Sequence, residues 1–341
     1  MAKLRVIQCG VGGFGGGWVN VLKSSPDAEC VAMVDVKQEN IDKAVAGSGF
    51  DKSKCFATLE EAISKVQADA VLTVTPPIVH WEHAKLAFSK GLHVLTEKPL
   101  ADSLEHGAEM VKLARQKDLR LMVSQNYRYN PNPRLLRSLV QENKFGGLVH
   151  GDITFGINAS FKGTFRETMT YPLLVDMSIH HFDLMRSVIG SNAKSIFIRS
   201  IKTPSDAYQH ECAFKGVIEF ENGIVMGYSG DWGSPRAATQ WPGDWALQFK
   251  DALIRWTETG CTAEKSAPWS RERTIESLGA PGMAVTGQAY SLAEFVAAIR
   301  ENREAETSGA DNLHSFGLVA AALESIKRNA PVNLADVVPA V

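Results

Sequence analysis

The stretch LRVIQCGVGGFGGGW, residues 4–18, constrains this chain more than any other. An apolar, β-branched run ends directly in glycines at Gly10, Gly12 and Gly15, the G-x-G-x-x-G spacing, and a helical pattern follows. In that context each glycine has a task. Gly10 permits a tight turn, Gly12 lets a pyrophosphate approach the backbone, and Gly15 lets a helix pack closely on the strand. Phosphates would then lie at a helix N-terminus, where unpaired amides and the helix dipole favour negative charge. Asp35 ends the next strand-like run, ECVAMVD, 20 residues past Gly15. A carboxylate there accepts from adenosine ribose hydroxyls and repels a 2′-phosphate, so NAD is favoured, while the nearby Lys37 leaves NADP open.

The same strand-to-helix rhythm continues through residue 125. Strand candidates are LRVIQC, ECVAMVD, KCFA, DAVLTVT, HVLTEK and RLMVS, and segments such as WEHAKLAFSKG and SLEHGAEMVKLARQKD carry apolar residues at helical spacing. Right-handed crossovers turn such a series into a doubly wound parallel sheet. After Pro131 the strands lengthen and alternate, as in VHGDITFGIN, KSIFIRSIK, ECAFKGVIEF and GIVMGYSGDW. The Asn222-Gly223 pair in GVIEFENGIVMG predicts a hairpin, since both residues tolerate positive φ. The expected architecture is an α/β Rossmann domain over residues 1–125. An α+β domain with a large, mostly antiparallel open sheet follows over 126–341, serving substrate binding and oligomerisation. The last two helices, SLAEFVAAIREN and SFGLVAAALESIKRN, are free to pack back on the first domain.

A length of 341 residues exceeds what one core usually organises, in keeping with two domains. The formal charge of −2 gives no electrostatic basis for binding nucleic acid or an anionic membrane, so the expected ligands are small. MAKLRVIQCG lacks the apolar core of a signal peptide, no long apolar run follows, and a cytoplasmic location is expected. Five widely spaced cysteines without a C-x-x-C pair read as reduced core residues.

Two places carry candidate chemistry. Lys98, in TEKPL, stands at the carboxyl end of the fifth strand, the side on which open α/β sheets bind ligands, and its charge can stabilise an alkoxide or polarise a carbonyl. Further on, YPLLVDMSIHHFDLMRSVIG reads as a buried helix that nonetheless carries DMSIHHFD. Asp176, His180 and Asp183 share a face at i, i+4 and i+7, while His181 is rotated about 100° away and is expected to pack or meet solvent. Asp176 and His180 then form a general base with its orienting acid. A purely structural Asp–His pair is the alternative. A metal site using both histidines is disfavoured because adjacent helical histidines diverge, and no metal is expected.

Taken together and in order, GVGGFG, TPPIVHWEHA, GLHVLTEKPLADS, NYRYNP and LLVDMSIHHFDLM resemble the Gfo/Idh/MocA family of oxidoreductases over nearly the whole chain. The resemblance implies a Rossmann domain, a second domain on an open sheet, and NAD or NADP as cofactor. It implies that Lys98, Asp176 and His180 are the catalytic group, with Ser178 where the family motif has glycine. It also places Thr75, Pro76, His80, Glu97 and Lys98 on the cofactor, along with Asn126 and the loop residues Gly10, Gly12, Gly13, Phe14 and Gly15. The family's substrates are mostly sugars, cyclitols and their derivatives, and its members self-associate, so a homo-oligomer, dimer or tetramer, is expected.

GDWGSPRAATQWPGDW brings together Trp232, Trp241 and Trp245, whose rings either offer faces to sugar C–H groups or fill a sheet core or subunit interface. Trp232, Asn158 and Arg166 join Lys98, Asp176 and His180 as candidate substrate contacts. The resulting expectation is an NAD(P)-dependent enzyme that moves hydride between nicotinamide and a secondary alcohol carbon of a sugar, cyclitol or polyol. An NAD-dependent glycosidase using transient oxidation and a non-catalytic dinucleotide-binding regulator are the other readings.

Overall fold

A computed structural model describes residues 2–341. In chain order the first elements are β1 (Leu4–Cys9), α1 (Gly15–Ser24), β2 (Ala28–Val34), α2 (Gln38–Ser48), β3 (Cys55–Phe56), α3 (Leu59–Lys65), β4 (Ala70–Thr73), α4 (His80–Ser89), β5 (His93–Glu97), α5 (Leu104–Gln116) and β6 (Leu121–Ser124). There follow α6 (Pro131–Gln141), β7 (Leu148–Gly156), α7 (Phe165–Thr168), α8 (Ser178–Ile189), β8 (Ala193–Ile201), β9 (Ala213–Phe220) and β10 (Val225–Asp231). The chain finishes with β11 (Asp244–Phe249), β12 (Leu253–Thr257), β13 (Gly260–Lys265), β14 (Thr274–Leu278), α9 (Gly287–Arg300), α10 (Gly309–Arg328) and β15 (Val332–Asn333).

β1 to β6 form a six-stranded parallel sheet in the order β3-β2-β1-β4-β5-β6, a Rossmann arrangement. β4 and β6 are buried along their whole length, as expected of parallel strands covered on both faces. The compact unit around this sheet comprises Met1–Tyr129, Val285–Leu313 and Pro339–Val341. The return to the first unit that the sequence left open for the C-terminal helices thus holds for α9 and the start of α10. The physical reason is the apolar face of α9, whose Leu292, Phe295 and Val296 complete a core with Trp18, Leu22, Leu95 and Tyr129.

The second unit, Asn130–Ala284 with His314–Val338, is built on a nine-stranded sheet ordered β14-β13-β12-β11-β7-β10-β9-β8-β15. It is mixed but mostly antiparallel, with β7 and β10 as the parallel pair. Burial alternates along β11 and β12, the pattern of a sheet with one face packed and the other open. The predicted β9–β10 hairpin forms, with Gly223 at φ +84 and Asn222 outside the positive-φ region. One left-handed residue is enough, because the Phe220 amide also bonds the Ile224 carbonyl and closes the turn.

The run carrying DMSIHHFD is not one continuous α-helix. Leu173–Met177 make a wider π turn, and α8 begins at Ser178, whose amide bonds back to the Leu173 carbonyl. The Ser178 hydroxyl reaches the same carbonyl at 3.2 Å. Such turns inside helices recur at functional sites. From Ser178 to Ile189 all residues but Ser187 are buried, with α6 packed alongside. Asp183 is taken up by structure, accepting from Ser315 of α10 at 2.8 Å.

His181 is fully buried, and burial pulls its pKa down to about 4, so the ring is neutral. Nε2 lies 2.8 Å from the Trp241 carbonyl, which only accepts, so that nitrogen carries the proton. Nδ1 then accepts from the Tyr228 hydroxyl. Its folded pKa lies below the unfolded value near 6.5, so its stabilisation is complete above about pH 6.5 and is lost as pH falls toward 4. His181→Gln is expected to flatten that part of an acid denaturation profile, on the order of 3 kcal/mol across the window. An unchanged profile would show that the ring does not titrate there.

Candidate active site

In the first unit the glycine loop forms because backbone meets backbone. Gly10 has φ +83, and a β-carbon on it would lie 2.5 Å from the Val74 carbonyl oxygen. A β-carbon on Gly15 would lie 2.3 Å from the Gly10 carbonyl oxygen, so only glycine lets α1 start this close to β1. Gly13, at φ +51, faces open space, and Phe14 precedes α1 with 60% of its surface exposed. Gln8, fully buried in β1, holds both ends of the loop, donating to the carbonyls of Gly10 at 3.1 Å and Gly15 at 2.8 Å. Its signal in the sequence is a lone amide among the apolar residues of LRVIQC.

Asp35 follows β2 directly. Its carboxylate accepts from the Val11 amide of the loop at 3.1 Å, the Lys37 amide at 2.9 Å and the Asn40 side chain at 3.1 Å. The glycine loop at the start of α1, the carboxylate beside it and the buried Thr75 hydroxyl, which has no hydrogen-bond partner, together suit a dinucleotide.

His80 and Glu97, expected to line the cofactor, make bonds to both backbone and side chains of the first unit. His80 is 1% exposed, and its Nε2 lies 2.9 Å from the Thr75 carbonyl. Its Nδ1 lies 3.1 Å from both the Pro99 carbonyl and the Thr96 hydroxyl. Burial lowers its pKa, so the ring is neutral with one N–H, and with Nε2–H on the Thr75 carbonyl and Nδ1 accepting from Thr96 it ties the loop after β4, with the exposed Pro76, to β5. Glu97 is buried at the end of β5, accepting from the Trp18 indole at 2.8 Å and from the Lys98 amide at 3.2 Å. Burial pushes its carboxyl up against the opposing effect of those bonds. Trp18 was not foreseen as a site residue, because an aromatic one turn into an amphipathic helix reads as core, which it also is. Lys98 is half-buried and joined to Pro99 by a cis peptide, and Asn126 begins a short 3₁₀ turn after β6.

In the second unit Asp176 lies in the π turn and His180 in the first turn of α8, where it is 8% exposed. Arg166 of α7 donates from Nε to Asp176 at 2.8 Å, and its guanidinium lies over the rings of Phe161 at 5.0 Å and Phe165 at 4.5 Å. Arg166 is thus an ion-pair partner of the candidate carboxylate. Ser178, in place of the family's glycine, is buried, and its hydroxyl lies 2.9 Å from that of Tyr228. Asn158 is exposed just beyond β7.

Trp232, expected to contact substrate, is only 1% exposed. It packs against Phe161 and Tyr208 with ring centroids at 5.0 and 6.3 Å. Its area is spent on the core behind Phe161, so it backs the platform on which Arg166 rests. Trp245 is likewise buried against Trp256, whereas Trp241 is half exposed. Among the described residues no group of His, Cys, Asp and Glu is clustered as metal ligands would be, and no helix is long and apolar enough to cross a membrane.

Residues 4–125 match the model of an oxidoreductase family with an NAD-binding Rossmann fold, GFO_IDH_MocA, and residues 134–246 match the GFO/IDH/MocA C-terminal domain. An uncharacterised protein, y4oX, of Sinorhizobium fredii is 25% identical over 97% of this chain and 96% of its own. Glucose-6-phosphate 3-dehydrogenase of Bacillus subtilis is 29% identical over 60% of each chain, and inositol 2-dehydrogenase of Corynebacterium glutamicum is 26% identical over 66% of each. The fold is shared with an oxidoreductase from Agrobacterium radiobacter solved with NAD+, L-tartaric acid and magnesium. Its TM-score is 0.86 at 19% identity, covering 98% of this chain and 99% of that one.

The Trp18–Glu97 bond joins the helix after the glycine loop to the end of β5, next to Lys98. Trp18→Phe keeps an aromatic ring but leaves a buried carboxylate short of a donor, which is expected to cost about 1–3 kcal/mol in chemical denaturation. Glu97→Gln retains an acceptor for the indole and is expected to cost less. Equal stability of wild type and Trp18→Phe would show that the bond contributes nothing net.

Proposed function

Because the chain belongs to the Gfo/Idh/MocA family of NAD-binding oxidoreductases, we propose that it oxidises a secondary alcohol carbon of a sugar, cyclitol or polyol, or runs the reverse reduction. The observation that carries this reading is Lys98. It stands at the carboxyl end of β5 on a fold that binds dinucleotide there, with its amide held by the buried Glu97. The glucose-6-phosphate 3-dehydrogenase and inositol 2-dehydrogenase named above, together with a D-apiose dehydrogenase of Paraburkholderia graminis, support the substrate class.

When bound, the nicotinamide supplies the two-electron acceptor for the hydride leaving carbon. The chain's own residues handle the oxygen. His180 accepts the hydroxyl proton as general base, and the Lys98 ammonium stabilises the negative charge that gathers on that oxygen. Asp176 stabilises the imidazolium, and its bond to Arg166 holds the carboxylate in place. In the reverse direction His180 returns the proton and Lys98 polarises the carbonyl. Asp35 favours NAD over NADP, and Asn158 and Arg166 are the proposed hydroxyl contacts.

An NADH absorbance screen over aldoses, their phosphates, and cyclitols tests the substrate class, and no NADH formation with any member would sink it. Lys98→Met is expected to keep NADH binding, read by fluorescence titration, while turnover falls by orders of magnitude. A positioned base contributes roughly 10²–10⁴-fold, so His180→Ala is expected to lower turnover within about that range. His181→Ala should lose stability rather than rate. Equal loss of turnover from the two histidine replacements in folded protein would overturn the assignment of the base.

A further inference from the structure

Asn40, in the first turn of α2, holds the Asp35 carboxylate by its edge. Its Nδ2 lies 3.1 Å from Oδ1 and 3.1 Å from Oδ2, so one amide nitrogen spans both oxygens. A carboxylate only accepts, which identifies the NH2 as the group facing it. The Lys37 amide also donates to Oδ1, at 2.9 Å, and the Val11 amide to Oδ2, at 3.1 Å. A carboxylate has about four acceptor sites, and here the chain itself supplies four contacts.

A second observation concerns the same side chain. The point where a β-carbon of Gly12 would sit lies 2.4 Å from Asn40 Nδ2, 2.5 Å from its Cγ and 2.7 Å from its Oδ1. The Asn40 amide is therefore laid over the glycine that must stay bare for a nucleotide to reach the backbone.

A ribose diol that donates to Asp35 needs acceptor sites the chain has already filled. Two of the three donors are backbone amides fixed by the loop and by the start of α2. Asn40 is the one that can leave by rotating its side chain.

We infer that Asn40 is a latch on the dinucleotide site. Its amide stands in for the adenosine ribose hydroxyls on Asp35 and covers Gly12, and it swings aside when the nucleotide binds. The inference rests on the reading of Asp35 as the ribose acceptor. The latch keeps the carboxylate oriented before cofactor arrives and lowers affinity, because a site open for only a fraction of the time binds weaker by that fraction. It also makes cofactor release easier, since the departing ribose is replaced by an intramolecular donor.

The test is direct binding, by calorimetry, of ADP-ribose, NADH and nicotinamide mononucleotide to wild type, Asn40→Ala, Asn40→Ser, Asp35→Ala and the double variant Asp35→Ala/Asn40→Ala, each checked for folding by thermal melt. Removing the latch is expected to tighten ADP-ribose and NADH by about tenfold, corresponding to a wild-type site open about one-tenth of the time. Mononucleotide affinity should stay as in wild type, since it lacks the adenosine ribose. Asp35→Ala should weaken ADP-ribose, and in its background Asn40→Ala should no longer tighten binding. Unchanged or weaker ADP-ribose binding by both Asn40 variants overturns the latch, as does equal tightening of the mononucleotide. If Asp35→Ala weakens ADP-ribose while the Asn40 variants do not tighten it, the latch alone fails. If Asp35→Ala also leaves ADP-ribose affinity unchanged, the ribose reading of Asp35 fails with it.

Discussion

The first unit depends on one close crossing of backbone. Gly10 passes the Val74 carbonyl and Gly15 passes the Gly10 carbonyl at distances no β-carbon tolerates, so β1, β4 and the first turn of α1 meet without side chains between them. That contact lets the loop turn within a few residues and leaves the amides at the start of α1 beside it. Other features of the candidate cofactor site are arranged around the crossing. Gln8 ties the two ends of the loop, Asp35 is anchored to it through Val11, and Trp18 of α1 reaches across to Glu97.

Much of the remaining organisation consists of buried polar groups, and each is affordable because its partners are at hand. An unpaired buried carboxylate or imidazole is costly, so these groups act where they can bond backbone or one another. His80 joins the loop after β4 to β5 through the Thr75 carbonyl and the Thr96 hydroxyl, Glu97 orders the Lys98 amide, and His181 locks α8 to Tyr228 and Trp241. The two adjacent histidines show how context divides identical side chains. His181 is surrounded by groups that satisfy a neutral ring, whereas His180 starts the same helix next to the π turn that carries Asp176.

Legibility differed by the kind of signal. The glycine spacing, the strand-to-helix rhythm and Asn222-Gly223 are local and periodic, so the Rossmann sheet, the largely antiparallel second sheet and the hairpin could be read directly. The return of α9 to the first unit could only be left open, because an apolar helical face does not say which core it covers. Trp232 and Trp245 were ambiguous for a similar reason, since a ring that suits a sugar also suits a core, and both are buried. The π turn was hidden because LLVDM fits α-helical spacing. The wider turn is closed locally by the Ser178 amide and hydroxyl on the Leu173 carbonyl, and that hydroxyl also meets Tyr228 from β10, a tertiary contact that spacing does not reveal.

By itself, then, the sequence carried the motifs that resemble the family, and it determined the two sheet types and the candidates for chemistry, because spacing along a helix or strand sets which side chains share a face. Tertiary structure decided what each candidate touches. Asp176 pairs with Arg166, Asp183 with Ser315, and Asp35 with Asn40, none of which follows from spacing alone. Such pairings depend on how separate segments pack and on which donors come within about 3 Å of a given acceptor, and that distance is set only once the chain has folded.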